Sequence, residues 1–358
     1  MLRRKLLFVV LGAPVLLHAA DPSTAELIEH GHYKRAQSIL SERLKANPND
    51  ARSLCEMSKV SEAFQHWDDA ISQAEKAHNL DVKNSEFQAA VADAIGSKLS
   101  ASQGGMFEKL SLARRFKKEA ELALQMDPNN VDANEDLIEF HLDAPGLVGG
   151  DKRKAEELAN HMVQVRPVRG YLMKFEIATH EKRVADQEQF LRQAITADSK
   201  NYDARVQAAD FYVSKGTAAF ASAEEHAKEA ISIDFTRVRG YVALATIYAE
   251  QGRWKDLDVV IANAQHDVAD DLAPLYQAAK AILTSSKYAE LSRAEKYLRS
   301  YLGQSPEGGE PSLAAAHWRL GLVLEKEGHR EQAKQELQES VRLDPDYEPA
   351  KKDLKRLQ

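Results

Sequence analysis

Few side chains in this chain are equipped for chemistry, and their spacing limits what they can do. His30-Gly31-His32 sets two imidazoles at one turn. A metal site needs three or four ligands. No third ligand lies nearby in sequence, so these read as surface histidines and no metal is expected. The most distinctive turn runs Asp143-Ala144-Pro145-Gly146-Leu147-Val148-Gly149-Gly150. Gly149 and Gly150 can take positive φ, and exposed amides ahead of a helix can hold an anion, with Lys152 beside them. No strand precedes this turn and no Gly-Lys-Ser/Thr follows it, which excludes a nucleotide-binding P-loop. The competing reading is a loop that packs over the next helix pair. Cys55 is the single cysteine, so no internal disulfide can form. It falls in an apolar-periodic stretch and reads as a small core or groove residue, not a nucleophile. The acidic pairs Asp68-Asp69, Glu224-Glu225 and Asp270-Asp271 sit at helix starts or turns, where they complement the helix dipole. No Ser/His/Asp, Cys/His or paired-carboxylate set emerges from the spacing. The expectation is a chain without catalytic activity or cofactor.

The elements that carry these residues are helices. Ala, Leu, Glu, Lys, Gln and Arg dominate the 358 residues, and all favour helix. The 11 prolines and 17 glycines fall mostly between apolar-periodic segments. Leu320 to Pro345 is the clearest example. Two helical patterns meet at Gly328-His329 and the second ends at Asp344-Pro345, with small residues, Gly321 and Ala333, where two helices must touch. Pro stops a helix because it has no amide hydrogen and clashes with the preceding turn. The same grammar recurs upstream, dividing 21–346 into nine helix pairs: 21–50, 51–84, 85–130, 131–168, 169–201, 202–237, 238–271, 272–312 and 313–346. A polar, Lys-rich helix over 347–358 would cap the open apolar face of the last pair. Val-Arg-Gly-Tyr occurs at 168–171 and again at 238–241, which fits internal duplication.

Residues 1–20 have a different character. Arg3-Arg4-Lys5 precedes an apolar run from Leu6 to Leu17, and His18-Ala19-Ala20 ends in small residues. That is the layout of a secretory signal peptide. The run is shorter than the roughly 20 residues a bilayer span requires. The compact basic start suits a bacterium, so the mature chain is expected to be periplasmic or secreted, with no stable membrane span once the signal is cleaved. The net charge is −7. Basic runs such as Arg114-Arg115-Phe116-Lys117-Lys118 alternate with acids and read as solvated helix faces. No clustered basic footprint for nucleic acid is evident.

The 34-residue spacing of 51–84, the small residues at the close-packing places, Gly or Asn at the turns and the closing prolines resemble the tetratricopeptide repeat family. The resemblance implies an all-α, right-handed superhelical solenoid of antiparallel helix pairs, with first helices lining a concave groove. The Ala-Pro-Gly-Leu-Val-Gly-Gly turn also resembles one in some bacterial secreted or periplasmic repeat proteins. By that resemblance the groove candidates are Arg52, Cys55 and Lys59 on one first helix and Asp203, Val206 and Asp210 on another. Arg239, Val242 and Thr246 follow on a third, and Trp318, Leu322 and Glu325 on the last. Their alternating polar and apolar character suits a peptide-binding face, since aromatic and Arg anchors often carry binding energy. The expected function is a non-catalytic, exported scaffold that binds a protein or peptide on its concave face. The alternative is a periplasmic accessory protein that holds a small hydrophobic or anionic ligand within the superhelix.

Overall fold

The computed structural model describes residues 22–309 and 311–357. The stretch read as a signal peptide lies outside the described residues. Nineteen α-helices follow one another among these residues, with three short 3-10 turns and no strand. They form antiparallel pairs. The first pair is α1 (Thr24–Glu29) with α2 (Tyr33–Ala46). Next come α3 (Ala51–Ala63) with α4 (Trp67–Leu80), and α5 (Ser85–Ala101) with α6 (Met106–Met126). The middle pairs are α7 (Val131–Asp143) with α8 (Lys152–Val165), and α9 (Pro167–His180) with α10 (Val184–Ala197). Then follow α11 (Tyr202–Ser214) with α12 (Phe220–Ile233), and α13 (Arg239–Gln251) with α14 (Trp254–Asp267). The last pairs are α15 (Ala273–Thr284) with α16 (Leu291–Leu302), and α17 (Leu313–Lys326) with α18 (Arg330–Leu343); α19 (Glu348–Leu357) closes the array. The chain is an all-α superhelical solenoid, each helix packing on its sequence neighbours.

Two kinds of turn generate the stacking, and each has a local cause. Within a pair, the last turn of the first helix closes by a bond from an amide five residues on, as in His329 N–H to Leu324 O at 2.8 Å and His66 N–H to Ser61 O at 2.8 Å. This motif needs a left-handed residue. Gly328 supplies it at φ +87°, while Gln65, Lys182 and Ser286 adopt it without being glycine. Between pairs, an Asp or Asn closes the second helix and bonds the amide two residues on: Asp81 to Lys83, Asp127 to Asn129, Asp198 to Lys200. The next helix then starts under its own side-chain cap, from Asp50, Asn84, Asn130, Asn201 or Ser312. Such caps are worth about 1 kcal/mol each.

Alanines at the crossing points let the helices approach. Ala36, Ala70, Ala74, Ala120, Ala155 and Ala333 are all fully buried. The two Val-Arg-Gly-Tyr stretches have a steric reason. A Cβ on Gly170 would lie 2.2 Å from the Val163 amide nitrogen, and one on Gly240 would lie 2.7 Å from Ile231 Cγ1. In both, the first turn of a helix presses on the helix before it.

The superhelix also returns on itself, which nothing in the repeat grammar foreshadows. The α1–α2 turn docks on three loops far along the chain. His32 is 5% exposed. Its Nδ1 lies 2.9 Å from an Asp270 carboxylate oxygen and its Nε2 lies 2.9 Å from the Thr236 carbonyl. The Lys34 amide, in the first turn of α2, donates to Glu307 at 2.6 Å, so this helix is capped from 273 residues away. Lys34 Nζ reaches the carbonyls of Asp270 and Ser305 and pairs with the same Glu307 carboxylate at 3.0 Å. The Gly309 amide donates to Ala63 O at 2.6 Å. The expectation of two surface histidines is therefore corrected. His30 is half-buried beside Asp234 at 3.4 Å, and His32 is interior, because an interface forms over them.

Candidate interaction groove

The first helices α3, α5, α7 and α9 share one depression in the early pairs. Lys59 on α3 and Asp93 on α5 stand 34 residues apart in sequence, one repeat, and so come side by side. Asp132, Glu135, Asp136, Glu139 and Asp143 extend along α7, and Glu176 lies on α9. Together these seven carboxylates, with Lys59 and His180, line a depression of about 470 Å³. Lys59 Nζ binds Asp132 at 2.8 Å. Burial works against its ammonium, and Asp132 and Asp93 outweigh that, raising its pKa. Arg169 binds Glu135 at 3.1 Å, and His180 lies 3.1 Å from Asp143.

Those cations are too few for the acids. Asp136 is 8% exposed, and its Oδ2 is buried with no hydrogen-bond partner. Burial and then the Asp93 charge push Asp136 well above the usual carboxylate range. Glu62, just behind on α3, is raised to about 8 by burial and Asp93, although the Ser97 hydroxyl donates to it at 2.9 Å. Burial raises Asp93 to about 6 against the pull of Lys59, and Glu135 to about 7 against that of Arg169. Crowded carboxylates with few counter-ions are the physical signature of a surface arranged for cations. Among the described residues no set of three or more His, Cys, Asp or Glu side chains is disposed to hold a metal ion.

The residues chosen from sequence fall into three settings. Arg52, Cys55 and Lys59 line an adjoining depression that shares Lys59 and Asp132 with this groove. Arg52 is held between Glu56, at 3.1 Å, and Glu86. Cys55 is 4% exposed, and burial raises its thiol to about 11, so it offers neither surface nor thiolate. In the later pairs the charges cancel in ladders. Asp203 binds Arg237 at 2.6 Å and Asp210 binds Arg239 at 2.6 Å. Thr246 donates back to Val242 O at 2.9 Å, and Val206 is 1% exposed and out of reach. Trp318, Leu322 and Glu325 are corrected as an open binding face. The Trp318 indole N–H donates to Asp353 of α19 at 2.8 Å, its ring packs edge-on against Tyr347, and Glu325 pairs with Arg356. Leu322 packs at the margin of the core that α19 completes. The cap already occupies that position.

The anion reading of the Gly-rich turn is corrected too. The amides of Val148, Gly149 and Gly150 donate to Pro145 O, Gly146 O and Pro145 O, so the loop spends them on itself. A Cβ on Gly150 would lie 1.8 Å from Ala144 O, and Lys152 turns to Glu181 at 3.5 Å. The loop is a packing device. The groove carboxylates were missed because each is unexceptional within its own helix. Insertions in the third and fourth pairs set them off a strict 34-residue spacing, so only the stacking of successive first helices brings them together.

Residues 314–347 match the tetratricopeptide repeat family profile, and no curated protein sequence matches the chain. Among solved structures, yeast Tom70 resembles it with a TM-score of 0.50 and 13% identity, over 93% of this chain and 79% of that one. The Cut9–Hcn1 hetero-tetramer of APC/C (TM-score 0.44, 14% identity, 93% and 75%) and the human IFIT1 dimer with PPP-AAAA (0.43, 16%, 90% and 82%) are more distant. No helix among the described residues is long and apolar enough to cross a membrane. The chain is a tetratricopeptide-like helical solenoid whose last full helix pair carries a recognisable tetratricopeptide repeat.

Proposed function

We propose that the chain is a non-catalytic, exported interaction scaffold whose early concave groove takes a Lys- or Arg-bearing segment of another protein. The fold supplies the scaffold class, since stacked helix pairs present an extended concave surface. Export rests on residues 1–20 alone. The observation that carries the charge class is Asp136, a buried carboxylate oxygen without a partner among seven groove acids and one lysine. A bound ammonium or guanidinium would supply the missing donors, and each such charge-assisted bond is stronger than a neutral one. The same crowding argues against the anionic-ligand alternative.

The test is fluorescence anisotropy with a short alternating Lys-Ala peptide and its Glu-Ala counterpart. The basic peptide binds, with affinity that falls as salt rises, and the acidic one does not. Glu135→Gln with Asp136→Asn weakens binding by about tenfold or more, the scale of losing one or two charge-assisted bonds. Equal binding of both peptides, or no effect of the double variant, refutes the proposal.

A further inference from the structure

Beside the acidic groove lies a second depression of opposite character. It is bounded by the end of α5, the start of α6 and the Ala144–Val148 loop, and it measures about 520 Å³. Leu99, Met106, Leu110, Phe116, Phe140 and Val148 form most of its wall. Helix α6 is 21 residues long, against 14 for most second helices here, and its extra first turns overhang this space. Met106 is 82% exposed, and just beyond the wall Phe107 is 89% exposed and Leu147 fully so. Clustered exposure of large apolar side chains marks an interaction site.

Two residues connect the depressions. Glu139 and Asp143 line both the acidic groove and this apolar pocket, and so stand on the ridge between them. Lys109 also borders the pocket. The rim of the pocket thus carries two carboxylates, Glu139 and Asp143, against the one ammonium of Lys109. We infer that the pocket receives a large apolar side chain, Leu or an aromatic, from the same cationic segment that occupies the groove. The full ligand is a segment in which basic residues adjoin an apolar one. This extends the groove reading and rests on it. Charge complementarity at the ridge selects this occupant over an anionic amphiphile or an uncharged apolar chain.

The experiment uses the Lys-Ala peptide, the same peptide with a Leu-Phe block at either end, and an uncharged Ser-Ala peptide with the same block. The variant is Met106→Ser with Val148→Asn. It removes apolar wall without altering charge, and it touches one exposed and one half-buried residue, so folding is retained and is checked by thermal unfolding. On the native chain the block tightens the basic peptide by about tenfold or more when placed at one end, the gain expected for burying one such side chain. On the variant that advantage disappears, while the plain basic peptide binds as before. Equal affinity of the plain and blocked basic peptides overturns the pocket and leaves the groove standing. Failure of every basic peptide overturns the groove and the pocket with it. Binding of the uncharged peptide as tightly as the blocked basic one also overturns the inference. So does self-association of the chain that the variant abolishes.

Discussion

His32 is held between two acceptors, and that fixes its charge. The Thr236 carbonyl can only accept, and so can an ionised Asp270, so both ring nitrogens carry hydrogen and the ring is an imidazolium. The Asp270 hydrogen bond raises the His32 pKa above its ordinary value, against burial and the nearby Arg35. Burial pushes Asp270 up, and the bond and charge of His32 outweigh it, leaving that carboxyl lowered. Asp271 alongside is raised by its burial. Replacing His32 with Ala removes a charged hydrogen bond worth about 1.5–3 kcal/mol and a second worth about 1 kcal/mol, so the closure weakens by about 3 kcal/mol. The sign with pH follows from linkage. A raised histidine stabilises fully below its unfolded value of about 6.5 and loses that contribution as pH rises through the higher folded value. The lowered Asp270 contributes above its unfolded value of about 3.9 and fails only below it. The contribution of the His32–Asp270 pair is largest between about pH 4 and pH 6.5, while the raised carboxyls of Asp271 and Glu307 favour the closure towards the acid end of that range. The assay is hydrogen exchange, expressed as protection factors, at the Lys34 and Gly309 amides, whose bonds exist only across this contact. At pH 6, His32→Ala lowers their protection by about a hundredfold, the ratio equivalent to 3 kcal/mol. Buried α15 amides are unaffected. In the native chain the same two amides lose protection towards pH 9, and in the variant they lose distinctly less, because the His32 contribution is gone and only Glu307 and Asp271 remain. Unchanged protection in the variant, or protection that grows with pH in the native chain, refutes the reasoning.

Two other outcomes follow from the packing and the groove. Asp136→Asn stabilises the free chain at neutral pH, because it removes a charge that burial and Asp93 disfavour. A carboxyl raised by burial makes the folded state hold more protons than the unfolded one, so native stability falls as pH rises above about 4, and less steeply in the variant; urea unfolding across that range measures it. Gly170→Ala costs about 3 kcal/mol or more and Gly321→Ala distinctly less, because Gly170 meets the Val163 backbone whereas Gly321 meets the movable end of Leu337 at 3.0 Å. Thermal unfolding of the two variants side by side gives the order, and a reversal would contradict the packing account.

The fold class was legible because its causes are local. Ala333 and Gly321 at crossings, Gly328 at a turn and Asp344-Pro345 at a stop each act over a few residues. The acidic groove was partly legible. Lys59 was singled out on its face, but Asp93 and Asp136 gain meaning only when repeats stack, since insertions in the third and fourth pairs stretch the spacing beyond one repeat length. Trp318 was misjudged because its partner is Asp353, in the cap rather than in a ligand. The His32 contact was illegible, because it joins residues 238 positions apart through loops with no common pattern.

That contact has a bearing on how the chain can change length. In an open array each unit touches only its neighbours, so a unit can be gained or lost at modest cost. Here Glu307 must arrive at the start of α2, and Asp270 and Thr236 at His32. Each inserted unit would rotate and lift the later loops away from the α1–α2 turn. The number of units between them is thereby counted by the molecule itself, and duplication or deletion of a whole repeat would forfeit the join however well the added helices packed.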